Sequence, residues 1–291
     1  MAEDALSEVF SYDSGDGTFW FHHSLDLNPR PQDFRLHYEG GYEIYMFIRG
    51  KGEYFVEGQR YELTPYSVLI FNTSELHKLE ISVDEPYERM VIIIGAGFMP
   101  PFLVGGIDLL KTFRNRALGY KNKISAETAE RYGLPALCTK FERLCRAGTP
   151  ESEVVAKCVI IEMLTAINEA VSGIEDKAQT GNDKINAILE YINANLSGDL
   201  CLDALAEKFY LTKYYLCHIF KKTTGFTINR YVTYKRILLA DGLMLDGYSP
   251  SQACFMSGYG DYSNFYKAYR KLTGKPPRKT KGAAPVRGAP R

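Results

Sequence analysis

One short segment of the chain occurs twice, and this duplication restricts the folds that the sequence allows. The copies span residues 214–225 and 263–274, and both have an apolar residue, an aromatic residue four positions later, two basic residues and a closing Thr-Gly. In the first copy the apolar pair is Leu216 and Phe220, which lie one helical turn apart. Each copy therefore predicts a short helix with a buried stripe, a polar and basic outer face, and a glycine at its C-terminal end.

A second short helix is predicted before the first copy. Its apolar residues recur with helical spacing at Leu202, Leu205, Ala206 and Phe209. Thr212 is the predicted N-cap of the helix that follows. A small residue inside the first helix, Ala206 here and Cys254 before the second copy, lets the two helices cross at close range.

The second copy is preceded by the same arrangement. Ser249, Pro250 and Gln252 follow the order of a capping serine, a proline at the first helical position and a capping-box glutamine. Residues 257–260 are a predicted turn, and Asp261 is the predicted N-cap of the next helix. A helix, a tight turn and a capped basic helix, present twice, predict a tandem helix-turn-helix.

The charge is distributed unevenly along the chain. The net charge of the 291 residues is zero, but residues 183–291 contain 17 Lys and Arg against 8 Asp and Glu, a net charge of +9. The remainder has a net charge of −9. A basic C-terminal third predicts a polyanionic partner for that part of the chain, although a chance imbalance on solvated surfaces gives the same numbers.

Several other classes of protein find little support. The six cysteines form no CxxC pair, and we expect them to be small buried residues in a reducing compartment: Cys138, Cys145, Cys158, Cys201, Cys217 and Cys254. No signal peptide or membrane-spanning apolar run is evident, so we expect a cytoplasmic protein without a membrane partner. The motifs GxSxG, GxxxxGK[ST] and HExxH do not occur.

Short runs of strand-forming residues occupy the first hundred positions and are separated by Gly, Asn and Pro. They are 19–21, 34–37, 42–48, 53–56, 61–63, 68–71, 77–83 and 90–94. Turn signals include 49–52 and Glu57-Gly58-Gln59. Many short strands with regular turns predict an antiparallel barrel or sandwich.

Helical spacing replaces this pattern between residues 101 and 173. Ile107, Leu110 and Phe113 predict the start of one helix, and residues 134–145 predict a second. Residues 154–167 predict a third, which is apolar over most of its circumference. Such a helix needs partners on more than one side. We favour a second protomer as one of these partners over a fully internal position, and so expect a homodimer.

The polar and glycine-containing residues 174–182 are the predicted interdomain linker. After them, Ile185, Ile188, Leu189 and Ile192 predict an amphipathic helix, and a longer helix is predicted from Thr227 to about residue 247. At about 1.5 Å per residue the longer helix is roughly 30 Å long, close to the half-site spacing of about 34 Å in DNA. One rigid helix is therefore expected to place two recognition helices in successive major grooves.

These features predict an α+β protein with an antiparallel β domain and an all-α tandem helix-turn-helix domain. The expected boundaries are 1–100 for a β-barrel domain, 101–173 for a helical dimerisation segment packed on it, 174–182 for the linker, 183–281 for the tandem helix-turn-helix domain and 282–291 for a disordered basic tail.

The duplicated motif resembles the DNA-binding domain of AraC-type transcription regulators. The resemblance covers about a hundred residues in both halves and in order. Its residues are Leu202-x-x-Leu205-Ala206, Leu216-x-x-x-Phe220-Lys221-Lys222-x-Thr224-Gly225, and Gly258-Tyr259-x-Asp261-x-x-x-Phe265-x-x-x-Tyr269-Arg270-Lys271-x-Thr273-Gly274-x-x-Pro277. More loosely, the N-terminal half resembles the cupin-like sensor of the same family.

The resemblance implies which residues meet DNA. The outward residues of the two recognition helices, which are expected to contact base edges, are Lys213, Tyr214, Cys217, His218, Tyr262, Ser263, Tyr266 and Lys267. Four basic residues are expected to contact phosphates instead: Lys221, Lys222, Arg270 and Lys271. Arginine is common in the family where His218 and Lys267 stand, so direct guanine readout is expected to be weaker here. For each single basic residue, the alternative is a solvated surface charge.

The resemblance to the sensor implies a binding site inside the β domain. Its metal pattern is matched by His37, Glu43 and His77, whereas Glu39 stands where the second histidine belongs. Alternation points a set of polar and aromatic side chains into the interior, and we expect them to bind an effector together with Trp20: His37, Glu43, Tyr45, Phe47 and His77. Aromatic rings beside polar groups suit a sugar-like ligand. We expect no bound metal or other cofactor. For Trp20, the alternative to effector binding is a place in the ordinary hydrophobic core.

Three functions remain open from the sequence. The first is a ligand-responsive, sequence-specific transcription regulator, an activator that acts on double-stranded DNA together with RNA polymerase. The second is a cupin-type metal enzyme fused to a DNA-binding module, with His37, Glu39, Glu43 and His77 as ligands. The third is an architectural DNA-binding dimer that responds to no ligand. We favour the first, and expect no enzymatic activity.

Overall fold

A computed structural model describes residues 8–29, 40–95, 98, 106–174 and 183–278. The described residues fall into two compact units. The first contains the residues up to Tyr54 and those from Tyr61 to 174, and the second contains Phe55–Arg60 and 183–278. The predicted linker (174–182, of which only residue 174 is described) and the predicted tail (282–291) lie almost entirely outside the described residues.

The strands lie in the first third of the chain, with one short addition. They are β1 Glu8–Asp13, β2 Phe19–Asp26, β3 Tyr42–Arg49, β4 Gly52–Val56, β5 Gln59–Glu62, β6 Val68–Phe71, β7 His77–Ile81, β8 Tyr87–Ile94 and β9 Lys123–Ile124. Six of them form one sheet in the order β1-β2-β8-β3-β6-β9, and the others form a second sheet in the order β5-β4-β7. The predicted β-rich N-terminal half is confirmed, although among the described residues the strands form two sheets and no single closed barrel. The predicted strand at 34–37 lies outside the described residues.

The larger sheet has two faces with different chemistry. The residues Phe19, Phe21, Ile44 and Met46 are buried in one apolar cluster with residues of the two longest helices of this unit. Side chains that alternate with them in β2 and β3 point to the opposite face. Phe141 joins the apolar face to a helix, since its ring lies 5.3 Å from the ring of Phe19.

Four helices follow among the described residues of the first unit: α1 Lys111–Arg114, α2 Ala126–Arg131, α3 Leu134–Ala147 and α4 Pro150–Ser172. The predicted helix at Ile107 is wrong at its start, because α1 has a single turn and Ile107 is 58% exposed. By contrast, α3 and α4 match the predicted periodicity, and a capping box of Thr149 and Ser152 begins α4. Val154 remains 62% exposed on α4, so one side of this apolar helix is uncovered in the single chain.

The second unit contains six helices among its described residues: α5 Asp183–Ala194, α6 Leu202–Lys208, α7 Lys213–Thr224, α8 Ile228–Leu245, α9 Pro250–Met256 and α10 Tyr262–Thr273. The helical C-terminal half is therefore as predicted. With 18 residues, α8 is about 27 Å long. No helix in the described parts of the chain has the length and apolar character needed to cross a bilayer.

The expectation that all six cysteines are buried is wrong for half of them. Cys138, Cys145 and Cys254 are buried, whereas Cys158, Cys201 and Cys217 are exposed. The sulfur of Cys201 accepts a hydrogen bond from the backbone N–H of Ala204 at 3.4 Å, so this residue is the N-cap of α6. Apolar periodicity does not reveal such a role, because a cap residue lies outside the helical pattern that follows it.

Candidate nucleic-acid interface and ligand-binding core

The first helix-turn-helix consists of α6 and α7. Thr212 caps α7 by accepting a hydrogen bond from the backbone N–H of Tyr215 at 3.2 Å. Leu216 and Phe220 are both fully buried, and Gly225 ends the helix in a left-handed conformation with φ of 75°. The buried stripe fixes the rotation of α7 about its axis, so its remaining faces are directed outward.

The second helix-turn-helix, α9 and α10, is built in the same way. Ser249 and Gln252 form the capping box of α9, with Pro250 at the first helical position. The Asp261 side chain caps α10 by accepting a hydrogen bond from the backbone N–H of Asn264 at 2.8 Å. The buried stripe of α10 consists of Phe265 and Tyr269, whose rings lie 5.6 Å apart.

The residues expected to contact bases lie on the outer faces of these two helices. Seven of the eight are exposed, namely Lys213, Tyr214, Cys217, His218, Tyr262, Ser263 and Lys267, and Tyr266 is half-buried. On α7 the Tyr214 ring stacks on the His218 imidazole one turn further along, with centroids 6.3 Å apart and an interplanar angle of 8°. The sequence places these two residues on one face but does not predict that their rings are parallel.

Lys213 differs from the other candidate base contacts because it has an acidic partner. Its Nζ lies 2.8 Å from Oδ1 of Asp203 on α6. The hydrogen bond to Asp203 and the charge of that carboxylate raise the pKa of Lys213 above its ordinary value. Lys213 therefore stays charged, but the pair must rearrange if Lys213 is to reach a base.

The four candidate phosphate contacts are equivalent pairs in the two motifs. Lys221 and Lys222 lie in the last turn of α7, and Arg270 and Lys271 lie in the last turn of α10. All four are exposed. Cations at this position also interact favourably with the C-terminal end of the helix dipole, so their placement alone does not require a phosphate.

Four of the residues expected to bind an effector lie on the polar and aromatic face of the large sheet, namely Trp20, Glu43, Tyr45 and Phe47. Trp20 pairs with Ile93, Ile93 with Glu43, and Glu43 with Phe71 in adjacent strands. Directly paired residues point to the same side of a sheet. Trp20 and Glu43 therefore share one face, as the alternation of the sequence predicts. Trp20 stacks on His22, with ring centroids 5.3 Å apart.

His77 reaches the same cluster from the smaller sheet. Its Nε2 lies 3.2 Å from Oε2 of Glu43, and both side chains are almost completely buried. Its Nδ1 lies 3.1 Å from the backbone oxygen of Glu75. The imidazole also stacks on the Phe71 ring with centroids 4.1 Å apart. A hydrogen-bonded and stacked imidazole has a fixed orientation beside the Glu43 carboxylate.

Tyr45 and Phe47 are both fully buried, and both approach Tyr87 of β8. The Tyr45 and Tyr87 hydroxyl oxygens are 2.5 Å apart, and the rings of Phe47 and Tyr87 are 6.1 Å apart. Burial raises the pKa of Tyr87 to about 12 and that of Tyr45 well above its ordinary value. The Arg89 guanidinium lies 5.0 Å from the Tyr87 ring centroid. Both phenols are therefore neutral hydrogen-bonding groups at physiological pH.

Sequence reasoning missed Tyr54, Tyr87 and Arg89 as members of this cluster. The Tyr54 ring lies 5.0 Å from that of Tyr45 and 5.9 Å from the imidazole of His77. Extending the alternation of β8 toward its N-terminus identifies Arg89 as an inward residue. His37 and Glu39 lie outside the described residues. Within the described ranges, no group of three or more His, Cys, Asp or Glu side chains is arranged to hold a metal ion.

Two family models match the chain. Residues 25–116 match the AraC-like ligand binding domain, and residues 205–283 match a helix-turn-helix domain. A solved structure of ToxT from Vibrio cholerae O395 matches 94% of this chain and 95% of its own at 16% identity, with a TM-score of 0.36.

Curated relatives are transcription regulators. The HTH-type regulator YijO of Escherichia coli is 25% identical over 44% of this chain, and the match spans 46% of that protein. YbfI of Bacillus subtilis is 22% identical over 80% of this chain and 82% of its own. The HTH-type transcriptional activator RhaS of Klebsiella pneumoniae is 22% identical over 85% of this chain and 88% of its own. These matches identify a transcription regulator rather than an enzyme. With a ligand-binding domain followed by a helix-turn-helix domain, the chain belongs to the AraC-type family of transcription regulators.

Proposed function

We propose that the protein is a sequence-specific DNA-binding regulator in which α7 and α10 each enter a major groove. The observation that carries this proposal is the construction of these two helices: each has a capped N-terminus, one buried stripe and a largely exposed polar and basic outer face. A helix with this division of its surface is suited to lie in a groove while its inner face packs on a scaffold. The proposed domain limits are those expected from the sequence, with the DNA-binding domain at 183–281.

The proposed base contacts are the exposed side chains of the N-terminal and middle turns of these helices, and the proposed phosphate contacts are Lys221, Lys222, Arg270 and Lys271. Residues of the first kind determine sequence preference, whereas residues of the second kind strengthen binding to all DNA. Selection of duplexes from a random pool by the purified protein tests the proposal. Recovery of one enriched sequence supports it, and recovery of no enriched sequence contradicts it.

The proposed effector is a small polar molecule, and a sugar or sugar derivative is the class we favour. The support is the combination of the Glu43–His77 pair with the rings of Tyr45, Tyr54 and Phe71. Rings of this kind stack on the apolar faces of a sugar, and the polar groups hydrogen-bond to its hydroxyls. A thermal-shift screen of the full chain against sugars and related metabolites tests this class, with matched carboxylic acids and amines as comparison sets. A response only to the comparison sets would contradict it.

We further propose that the protein acts as a homodimeric activator with RNA polymerase as a partner. The exposed apolar side of α4, with Val154 62% and Val155 42% exposed, supports a second protomer as its cover. Light scattering of the wild type and of Val154→Glu tests the dimer: the wild type is expected at twice the chain mass and the variant at a lower mass. Transcription from a promoter that carries the selected sequence, with purified polymerase, tests activation.

A further inference from the structure

The turn between β4 and β5 belongs to the helical unit, although the strands around it lie in a sheet. At its centre, Glu57 and Gly58 have φ values of 46° and 86°, both in the left-handed region. Two-residue turns of this kind favour Asn-Gly or Asp-Gly, because both central residues must adopt a positive φ, which is uncommon for residues other than Gly, Asn and Asp. The presence of glutamate at position 57 therefore calls for a reason other than turn formation.

The reason lies in the contacts of the Glu57 side chain. Its Oε1 is 3.0 Å from Nζ of Lys235 on α8, and its Oε2 accepts a hydrogen bond from the Tyr231 hydroxyl. The side-chain exposures of Glu57 and Lys235 are 2% and 6%. Nδ2 of Asn193 on α5 donates to the Tyr231 oxygen at 3.0 Å. This is a buried, hydrogen-bonded ion pair, in which removal of one partner leaves the other charge in an unfavourable environment.

The rest of the turn packs on the same helices. Nε2 of Gln59 donates to Oδ1 of Asn186 on α5 at 3.2 Å. A Cβ at position 58 would lie 2.5 Å from Cδ1 of Leu189, so a side chain there would displace the end of Leu189, and the φ of 86° also favours glycine. A Cβ at position 225 would lie 3.3 Å from the Phe55 ring, which places that ring against the C-cap of α7.

These contacts lead to the first recognition helix but not to the second. The Tyr231 ring meets the Phe220 ring of α7 at a centroid distance of 5.7 Å in an edge-on arrangement. The α10 helix instead packs with Ile237, Ala240 and Met244, which lie further along α8. We propose that Glu57 is a positioning residue for α7: through Tyr231 and Lys235 it fixes α8 against α5 and α7, and so holds the first helix-turn-helix in the geometry that reads DNA.

This inference rests on the proposed DNA binding. The experiment therefore has separate outcomes for the DNA-binding function and for the positioning role of Glu57. The probe is one duplex from the sequence pool selected by the wild type, and the affinity of the full chain is measured on it. Glu57→Gln removes the charge without changing the shape and is expected to weaken binding about tenfold, in line with breaking one side of a buried charge pair. Glu62→Gln, the same change at an exposed position of β5, is the control and is expected to leave affinity unchanged. Failure of the wild type to select DNA would overturn the proposed function.

Coupling between residues distinguishes positioning from a general loss of stability. His218→Ala on α7 is expected to have less effect in the Glu57→Gln protein than in the wild type, whereas Lys267→Ala on α10 is expected to have the same effect in both. Adding Lys235→Met to Glu57→Gln replaces the ion pair by neutral groups and is expected to restore affinity to within about threefold. If Glu57→Gln does not fold, Gln59→Ala takes its place, with an expected loss of about threefold and the same coupling to His218. Unchanged affinity, or equal coupling to both recognition helices, would overturn the inference.

Discussion

Tyr210 and Gly258 occupy the same left-handed position in the turns of the two helix-turn-helix motifs, with φ values of 54° and 92°. The backbone N–H of the following residue bonds to the oxygen of Ala206 in one motif and of Cys254 in the other. Position 258 requires glycine because of its surroundings, whereas position 210 has room for a side chain. A Cβ at position 258 would lie 2.2 Å from the backbone oxygen of Leu196, whereas the Tyr210 side chain is 94% exposed.

Opposite effects on stability are expected at these two positions. Gly258→Ala should lower the free energy of unfolding by more than about 2 kcal/mol, because it adds a backbone clash to an unfavourable φ. Tyr210→Gly should raise the free energy of unfolding by about 0.5 to 1 kcal/mol. Glycine adopts the left-handed region without a steric penalty, and this gain exceeds the entropy that glycine adds to the unfolded chain. Urea unfolding of both variants measures the difference. A stabilising alanine at position 258 would contradict the packing described for this turn.

Base and phosphate contacts should respond differently to substitution. His218→Ala is expected to relax sequence preference with a loss of about 1–3 kcal/mol on the selected duplex, and to leave the salt dependence of binding nearly unchanged. Lys221→Ala is expected to weaken binding to all duplexes alike and to reduce the slope of log K against log salt by about one. Affinities of both variants on selected and scrambled duplexes at several salt concentrations separate these behaviours, and Lys267 and Lys271 provide the equivalent pair in the second motif. Identical changes from all four substitutions would show that the assignment of roles is wrong.

The Lys213–Asp203 pair should oppose DNA binding. Asp203→Asn removes an exposed negative charge near the N-terminus of α7 and releases the Lys213 ammonium. We expect a gain of about two- to threefold in DNA affinity at low salt, and a smaller gain at high salt because exposed charges are screened. Glu190→Gln, an exposed change on α5, is the control. A loss of affinity in Asp203→Asn would mean that the pair orients Lys213 productively.

The buried phenols should make stability sensitive to alkaline pH. The pKa of Tyr87 is raised from its ordinary value near 10 to about 12 by burial, so its neutral form is favoured in the folded state. The stability contributed by this shift is complete below pH 10 and is lost as the pH rises from 10 to 12, by about 3 kcal/mol in order of magnitude. Melting temperatures between pH 8 and pH 11 should therefore fall less steeply above pH 10 in Tyr87→Phe than in the wild type. Parallel curves would contradict the burial of a neutral phenol.

The helical half could be predicted from sequence in more detail than the β half. Thr212, Ser249 and Asp261 are strong local signals, and a buried stripe such as Phe265 and Tyr269 is visible as periodicity. The start of α1 was predicted wrongly because apolar spacing alone does not reveal that Ile107 is exposed. Within a sheet, alternation shows which residues share a face but not which strands are neighbours.

Contacts between distant segments were beyond the reach of the sequence. The Glu57-Gly58 turn was identified as a turn, but nothing local indicates that its carboxylate meets Lys235, 178 positions later. In the same way, the Lys213–Asp203 pair and the stacked rings of Tyr214 and His218 depend on rotamers that tertiary packing selects. The duplicated motif therefore predicts where the candidate DNA-contacting residues lie, whereas the side-chain pairs that orient them are visible only in the structure.

The central claim is that the two capped helices read DNA together. Hydroxyl-radical footprinting of the wild type on a selected duplex tests it most directly. Within each half-site we expect two protected segments on one face of the duplex, with centres about 10 base pairs apart, and loss of one segment in His218→Ala and of the other in Lys267→Ala. A single protected segment that both substitutions weaken equally would contradict the account.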